Sequence, residues 1–260
     1  QAQLGHTLTE IAGEKAGIIK QKVPVVIGES HPETAPVFLD KAYAQQTSIV
    51  FADQVLDVTL LEQHLDHVVY QVKSLVYPML NFPRLTLDLT GNYQRHNLRT
   101  ALLSAHLMEL LGFPLTIEVV QAALAQVTPL AGLIGRWQVL ATKPLTIADS
   151  GHNREGWQYI VQALQQYPVK RWHIVLGTVR DKDMDFLWAL LPKEAVYYCC
   201  KAAIPRGLPA TDLQAQAEAA GFQAEAYASV QEAYTAAQDQ AQMEEGIFIG
   251  GSIFVVAEVV

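Results

Sequence analysis

Apolar and polar positions change period several times along the chain, and the changes divide it. A short helical pattern runs from Thr7 or Thr9, either of which would cap it, to about Lys15, with Gly17 as its stop. The apolar run at 23–27 predicts a central, buried strand in which Pro24 is tolerated near the start. Residues 33–46 are helical in pattern, with Val37, Phe38 and Tyr43 as apolar contacts, and 48–52 read as another short strand. From 55 to 90 the pattern becomes β-like, broken by Pro78 and Pro83, and Leu85–Leu89 alternates cleanly. After Gly91 the helical period returns. Leu98, Ala101, Leu102, Ala105, Met108 and Leu111 fall on one face before Gly112-Phe113-Pro114 ends the run, and a second helix covers about 116–127.

Thr128 to Gly135, with Pro129 and two glycines, reads as a linker, which divides the chain into domains at 1–132 and 133–260. Beyond it, strands and helices alternate. Strands are expected at 137–140, 145–148, 172–176, 195–199, 224–227 and 246–250. Helices are expected at 154–166, 183–191, 210–220, 230–241 and from 252. Trp157, Ile160, Val161 and Leu164 are spaced as one buried stripe. Such alternation predicts an α/β domain with a mostly parallel sheet and helices on both faces.

Composition narrows the class. The 260 residues suffice for two ordinary domains or one large one, and 50% hydrophobic with 17% charged residues supports a packed core. A net charge of −8 argues against broad electrostatic binding to nucleic acid or anionic membrane. No apolar run is long enough to span a bilayer, and no secretory signal precedes the first element. The only cysteines are neighbours, Cys199 and Cys200, which a strand would point to opposite faces. That argues against a disulfide and for a reduced, cytoplasmic setting.

Ligands of open α/β sheets gather at the carboxyl ends of strands, and three such places stand out. Asp149-Ser150-Gly151-His152-Asn153 brings an acid, a hydroxyl, an imidazole and an amide into the turn before a helix. The acid would grip a sugar hydroxyl or an ammonium group, or simply cap the helix with Ser150. Gly250-Gly251-Ser252 offers backbone N–H groups to an anion, or a plain cap. Leu176 to Asp183 carries charges that suit a solvated loop. Earlier, Asn97 sits a turn inside the helix from 94, where an amide reads a nucleobase edge or simply caps. Arg136, in Gly135-Arg136-Trp137, suits a phosphate or an interdomain hinge.

Taken in order, these segments resemble the folylpolyglutamate synthase/dihydrofolate synthase family, of the Mur-ligase-like ATP-dependent amide ligases. The resemblance rests on Leu4-Gly5…Glu14-Lys15-Ala16-Gly17-Ile18…Lys20…Pro24, Gln94…Asn97…Thr100-Ala101 and Gly135-Arg136-Trp137. It continues through Asp149…His152-Asn153, Asp181-Lys182-Asp183 and Gly250-Gly251-Ser252. It implies a truncated central ATPase domain followed by a Rossmann-like C-terminal domain. It implies ATP and Mg²⁺ as cofactors and the joining of L-glutamate to folate or dihydropteroate through an acyl phosphate. Lys15 matches a lysine that is carbamylated to hold Mg²⁺. Asn97, Arg136 and Asp149 match positions at the adenine, the phosphate and the ribose, and His152 and Ser252 match positions that hold the incoming glutamate. Gly151 stands where the family usually has Ala.

One departure bears on activity. No G-x-x-x-x-G-K-[ST] occurs in the chain, nor the Asp-His that normally precedes the Leu-Gly of the opening motif. The resemblance therefore reads the chain as the C-terminal part of such a ligase, not expected to catalyse ligation alone and expected to expose apolar surface that favours self-association. A Mur-type ligase of cell-wall precursors and a noncatalytic α/β module binding a nucleotide or protein are the alternatives.

Overall fold

The computed structural model describes residues 5, 7–180 and 184–260. The chain divides into two units, Gln1–Asp88 with Tyr93–Gln126, and Leu89–Asn92 with Val127–Val260.

In the first unit, α1 (Leu8–Ala16) opens with a capping box. Thr7 Oγ1 accepts from the Glu10 backbone N–H, and the Glu10 carboxylate accepts from that of Thr7, each at 3.1 Å. Of the two candidate threonines, Thr7 is therefore the cap. Strands β1 (Val25–Ile27) and β2 (Ile49–Phe51) pair in parallel, with α2 (Ala35–Ala44) between them in sequence. The run at 23–27 was expected to be a buried central strand, but β1 is three residues long and half-buried throughout. Among the described residues it has one strand neighbour, and a pair of strands leaves both outer edges uncovered.

A one-turn α3 (Ala52–Val55) leads into β3 (Leu56–Gln63) and β4 (Val68–Ser74), and a 3₁₀ turn at Pro78–Leu80 precedes β5 (Phe82–Leu87). These three strands form an antiparallel sheet in the order β3-β4-β5. Pro83 is accommodated because β5 is an edge strand and its pairing shifts there, from Val72 with Phe82 to Tyr70 with Leu85. Helix α4 (Gln94–Leu110) buries Gln94, Leu98, Leu102, Leu103 and His106, and α5 (Ile117–Leu124) follows. The expected face of α4 is therefore displaced. Met108 and Leu111 are exposed, while Gln94 and His106 occupy covered positions that an apolar periodicity does not mark.

The second unit begins with α6 (Val127–Ala131), where a linker was expected; Pro129 fits because it lies in the first turn, whose N–H groups have no helical partner. Next come β6 (Gln138–Thr142), β7 (Leu145–Asp149), α7 (Arg154–Leu164), β8 (Trp172–Leu176) and α8 (Asp185–Leu190). The unit continues with β9 (Val196–Cys199), α9 (Ala210–Ala219), β10 (Gln223–Ala226), α10 (Val230–Gln240), β11 (Gly246–Gly250) and α11 (Ile253–Val256). The sheet order is β10-β9-β8-β11-β7-β6, parallel except for the edge pair β6–β7. The mostly parallel α/β sheet read from the alternation is the one that forms.

Successive strand residues feed two cores. Ile147, Ile174, Leu176, Tyr197, Cys199 and Phe248 pack with Trp157, Ile160 and Leu164 of α7 and with Leu187 and Leu213 of α8 and α9. Ala148, Val175, Tyr198, Cys200, Ile247 and Ile249 pack with Val230, Ala233 and Ala237 of α10 and with Val255 and Val256 of α11. Burial on both faces is what makes these strands continuous apolar runs, and it places Cys199 and Cys200 on opposite sides. Among the described residues, no helix is long and apolar enough to cross a membrane.

Candidate functional site

Strand β11 lies between β7 and β8, so three motifs meet at the carboxyl end of the sheet. Gly250 pairs with Asp149 on one side and Leu176 on the other. The backbone turns sharply after each strand. Gly251 has φ +99°, and a Cβ there would collide with the Gly177 carbonyl oxygen. The Gly177 N–H donates to the Gly250 carbonyl at 3.3 Å. Close approach of two strand ends is what these glycines permit.

The turn Gly135-Arg136-Trp137 is bound to the same end. Gly135 has φ +68° and Trp137 φ +52°. A left-handed conformation is uncommon for a bulky residue and is held by its surroundings. Here Asp149 Oδ2 accepts the Trp137 backbone N–H at 2.7 Å, and Oδ1 accepts that of Gly151 at 2.7 Å. The Ser150 N–H donates to the Gly135 carbonyl at 2.9 Å. The Trp137 indole is buried, donating to the Tyr167 hydroxyl at 3.1 Å and lying 6.1 Å from the Phe248 ring centre. Arg136 is exposed and has no ion-pair partner among the described residues.

The remaining candidates of this unit lie alongside. Asp149 is 1% exposed. His152 is exposed, its Nδ1 lying 3.2 Å from the Ser150 carbonyl. A carbonyl only accepts, so Nδ1 carries the hydrogen in this contact. Asn153, rather than Asp149 or Ser150, caps α7, with Oδ1 accepting the Gly156 N–H at 2.8 Å. Ser252 is buried and caps α11, its Oγ accepting the Phe254 N–H at 3.3 Å. Thr178, just past β8, is buried with no partner for its Oγ1 among the described residues. It lies in the Leu176 to Asp183 segment, which its charges and not this hydroxyl mark in the sequence. Asp181, Lys182 and Asp183 lie outside the described residues, as do Leu4 and His6.

Lys15 and Asn97 belong to the first unit. Lys15 is exposed on the last turn of α1. Asn97 is exposed near the start of α4, and its Nδ2 donates to Oε1 of the buried Gln94 at 2.8 Å. That pairing leaves the Asn97 carbonyl and one N–H for another partner. The structure thus gathers Arg136, Asp149, His152 and Ser252 around the ends of β7 and β11, with Lys15 and Asn97 in the other unit. Among the described residues there is no group of three or more His, Cys, Asp or Glu side chains arranged for a metal ion.

Residues 135–253, which include the whole gathered group, match the family described as Mur ligase, glutamate ligase domain. That stretch of the chain is therefore of the Mur-ligase, glutamate-ligase-domain type. A folylpolyglutamate synthase of Lacticaseibacillus casei is 29% identical over 222 residues, covering 83% of this chain and 49% of its own. A dihydrofolate synthase/folylpolyglutamate synthase of Escherichia coli is 28% identical over 264 residues, covering 98% of this chain and 56% of its own. A structure of the bifunctional folylpolyglutamate synthase/dihydrofolate synthase of Yersinia pestis, complexed with AMPPNP and Mn ion, superposes with a TM-score of 0.75. It is 25% identical and covers 98% of this chain and 57% of that one. Over most of its length the chain is thus similar to folylpolyglutamate synthases and dihydrofolate synthases. It spans about half the length of the curated relatives it matches.

Proposed function

We propose that this chain is the glutamate-handling part of an ATP-dependent ligase that joins L-glutamate to folate or to dihydropteroate. In that reaction ATP phosphorylates a substrate carboxylate, releasing ADP. The glutamate amine then attacks the acyl phosphate, and phosphate leaves as the amide forms. The observation that carries the reading is the convergence of Arg136, Asp149, His152 and Ser252 at one end of the sheet, inside the stretch that matches a glutamate ligase domain.

Each residue has a role its chemistry suits. The exposed guanidinium of Arg136, without an ion-pair partner among the described residues, takes a phosphate by two parallel N–H bonds. Asp149 is a carboxylate, an acceptor that suits a ribose hydroxyl. His152 and Ser252 hold the glutamate. Binding of ATP and glutamate at one sheet end brings the reacting groups close, and that approach is the main contribution of residues that do no bond-making themselves.

The metal is a different matter. Carbamylation of a lysine is helped by desolvation, yet Lys15 is exposed. Among the described residues there is no group of three or more His, Cys, Asp or Glu side chains arranged for a metal ion, and no step is assigned through Mg²⁺. The chain also contains no P-loop sequence, so its own share of the reaction is positioning.

Two measurements test the proposal. Labelled glutamate should be transferred to tetrahydrofolate or dihydropteroate by the protein expressed from its whole reading frame, in an ATP-dependent manner. The 260-residue chain should bind ADP saturably in a calorimeter. Absence of glutamate transfer to either acceptor by a folded protein would refute the ligase reading.

A further inference from the structure

We propose that Asp149 is a positioning residue that latches the 135–137 turn and thereby presents Arg136 to an anionic phosphate. The inference rests on the reading of Arg136 as a phosphate-binding residue, and it gives Asp149 a task that a ribose contact does not require.

Gly135 and Trp137, on either side of Arg136, are each tied through both backbone polar atoms. The Gly135 N–H donates to Gln138 Oε1 at 2.8 Å, and its carbonyl accepts from Ser150. The Trp137 carbonyl accepts from Thr90 Oγ1 at 3.3 Å, and its N–H meets the Asp149 carboxylate. A Cβ on Gly135 would lie 2.6 Å from Val256 Cγ1, so this position is packed against α11 and left-handed at once. Trp137 adopts φ +52° although its side chain is large and almost fully buried. A tryptophan leaves that conformation unless something holds its N–H, and the holder here is a charge-assisted bond from a carboxylate 1% exposed. The second oxygen is fixed in turn by the Gly151 N–H. Between two anchored residues stands Arg136, exposed and without an ion-pair partner among the described residues. The latch therefore carries one movable group to the surface, and that group is a guanidinium.

Inorganic tripolyphosphate separates this role from a ribose contact, because it has no sugar. Its affinity for the 260-residue chain is measured for the native protein, Asp149→Asn, Arg136→Ala and the double variant. In parallel, amide hydrogen exchange is followed at Trp137 by NMR. The latch predicts that Asp149→Asn weakens tripolyphosphate about fivefold to tenfold, adds nothing in the Arg136→Ala background, and speeds Trp137 exchange at least tenfold. If Asp149→Asn weakens ADP but leaves tripolyphosphate and Trp137 exchange unchanged, Asp149 acts on the ribose and the latch is refuted. If the folded native chain does not bind tripolyphosphate, the phosphate reading of Arg136 fails. Trp137 exchange in Asp149→Asn then decides the latch by itself, and unchanged exchange overturns it. Should Asp149→Asn not fold, Gln138→Ala loosens the same turn from its other anchor. It is expected to weaken tripolyphosphate about threefold, and unchanged affinity there overturns the proposal.

Discussion

His173 and Glu245 form a buried pair at the amino end of the sheet, Nε2 to Oε2 at 3.1 Å. The other face of the pair is closed by Tyr198, whose hydroxyl lies 2.8 Å from His173 Nδ1 and donates to Gln240 Oε1 at 2.9 Å. Arg171 adds an ion pair to Glu245 at 3.1 Å, and the Gln242 N–H adds a bond at 2.9 Å. Burial alone would raise the Glu245 carboxyl. The Gln242 N–H, His173 and Arg171 outweigh it and hold the group below the ordinary carboxylate value of 4.5. A depressed carboxyl adds stability that is fully present above its unfolded value and drains as pH falls through the lower folded value. Glu245→Gln should therefore cost about 3 kcal/mol at neutral pH, as breaking a buried pair does. It should also flatten the loss of stability below about pH 4.5. Urea titrations from pH 3 to 7, followed by tryptophan fluorescence, check both. All four tryptophans, Trp137, Trp157, Trp172 and Trp188, lie in the second unit, so the signal reports that unit alone.

Cys199 and Cys200 should be inert while the chain is folded. Both are fully buried, and burial pushes the Cys199 thiol up to about 12 and the Cys200 thiol higher still. The thiolate is the reactive form. A thiol reagent at pH 8 should label neither residue in buffer and both in denaturant. Prompt native labelling would contradict the packing of β9.

Two glycines should respond oppositely to alanine. At Gly246 a Cβ would lie 2.5 Å from Trp172 Cζ3, in a rigid indole that has no free end to move. Gly246→Ala should cost about 1–3 kcal/mol by overpacking. At Gly13, on an exposed face of α1, a Cβ meets nothing within 4 Å. Gly13→Ala should stabilise the first unit by about 0.5–1 kcal/mol. Circular dichroism reads both units and tryptophan fluorescence the second alone, so a change confined to circular dichroism belongs to the first.

Asn153→Ala removes the cap of α7 and should cost about 1 kcal/mol. Hydrogen exchange at the Gly156 N–H, which Asn153 Oδ1 accepts at 2.8 Å, checks it. Faster exchange in Asn153→Ala is expected.

How far these features were legible in the chain varies with the range of the interaction. The parallel sheet was legible because strands covered on both faces are apolar at every position, as in Ile247-Phe248-Ile249, and such runs alternate with helical periods. The stripe of Trp157, Ile160, Val161 and Leu164 was legible for the same reason. The displaced face of α4 was not, because Gln94 and His106 are polar and covered. The bond from the Trp137 N–H to Asp149 left no trace either. A carboxylate that binds backbone makes no demand on the identity of the residue whose N–H it takes. The strand ends that carry the candidate residues were readable from glycine and strand punctuation, whereas the directions of their side chains depend on pairing across the sheet.

The place of β11 sets a condition on how the second unit is made. β7 and β8 share no ladder with each other; each is joined to β11, which follows every other strand of the sheet in the chain. During synthesis the earlier strands therefore wait with open edges, β8 for one neighbour and β7 for its inner one, until β11 has emerged and been inserted. Non-local pairing of this kind is slow and leaves apolar edges open to other chains meanwhile. A ribosome-bound chain stalled before Gly246 should be held by chaperones or cleaved by protease, and one stalled well past Gly250 should be protected.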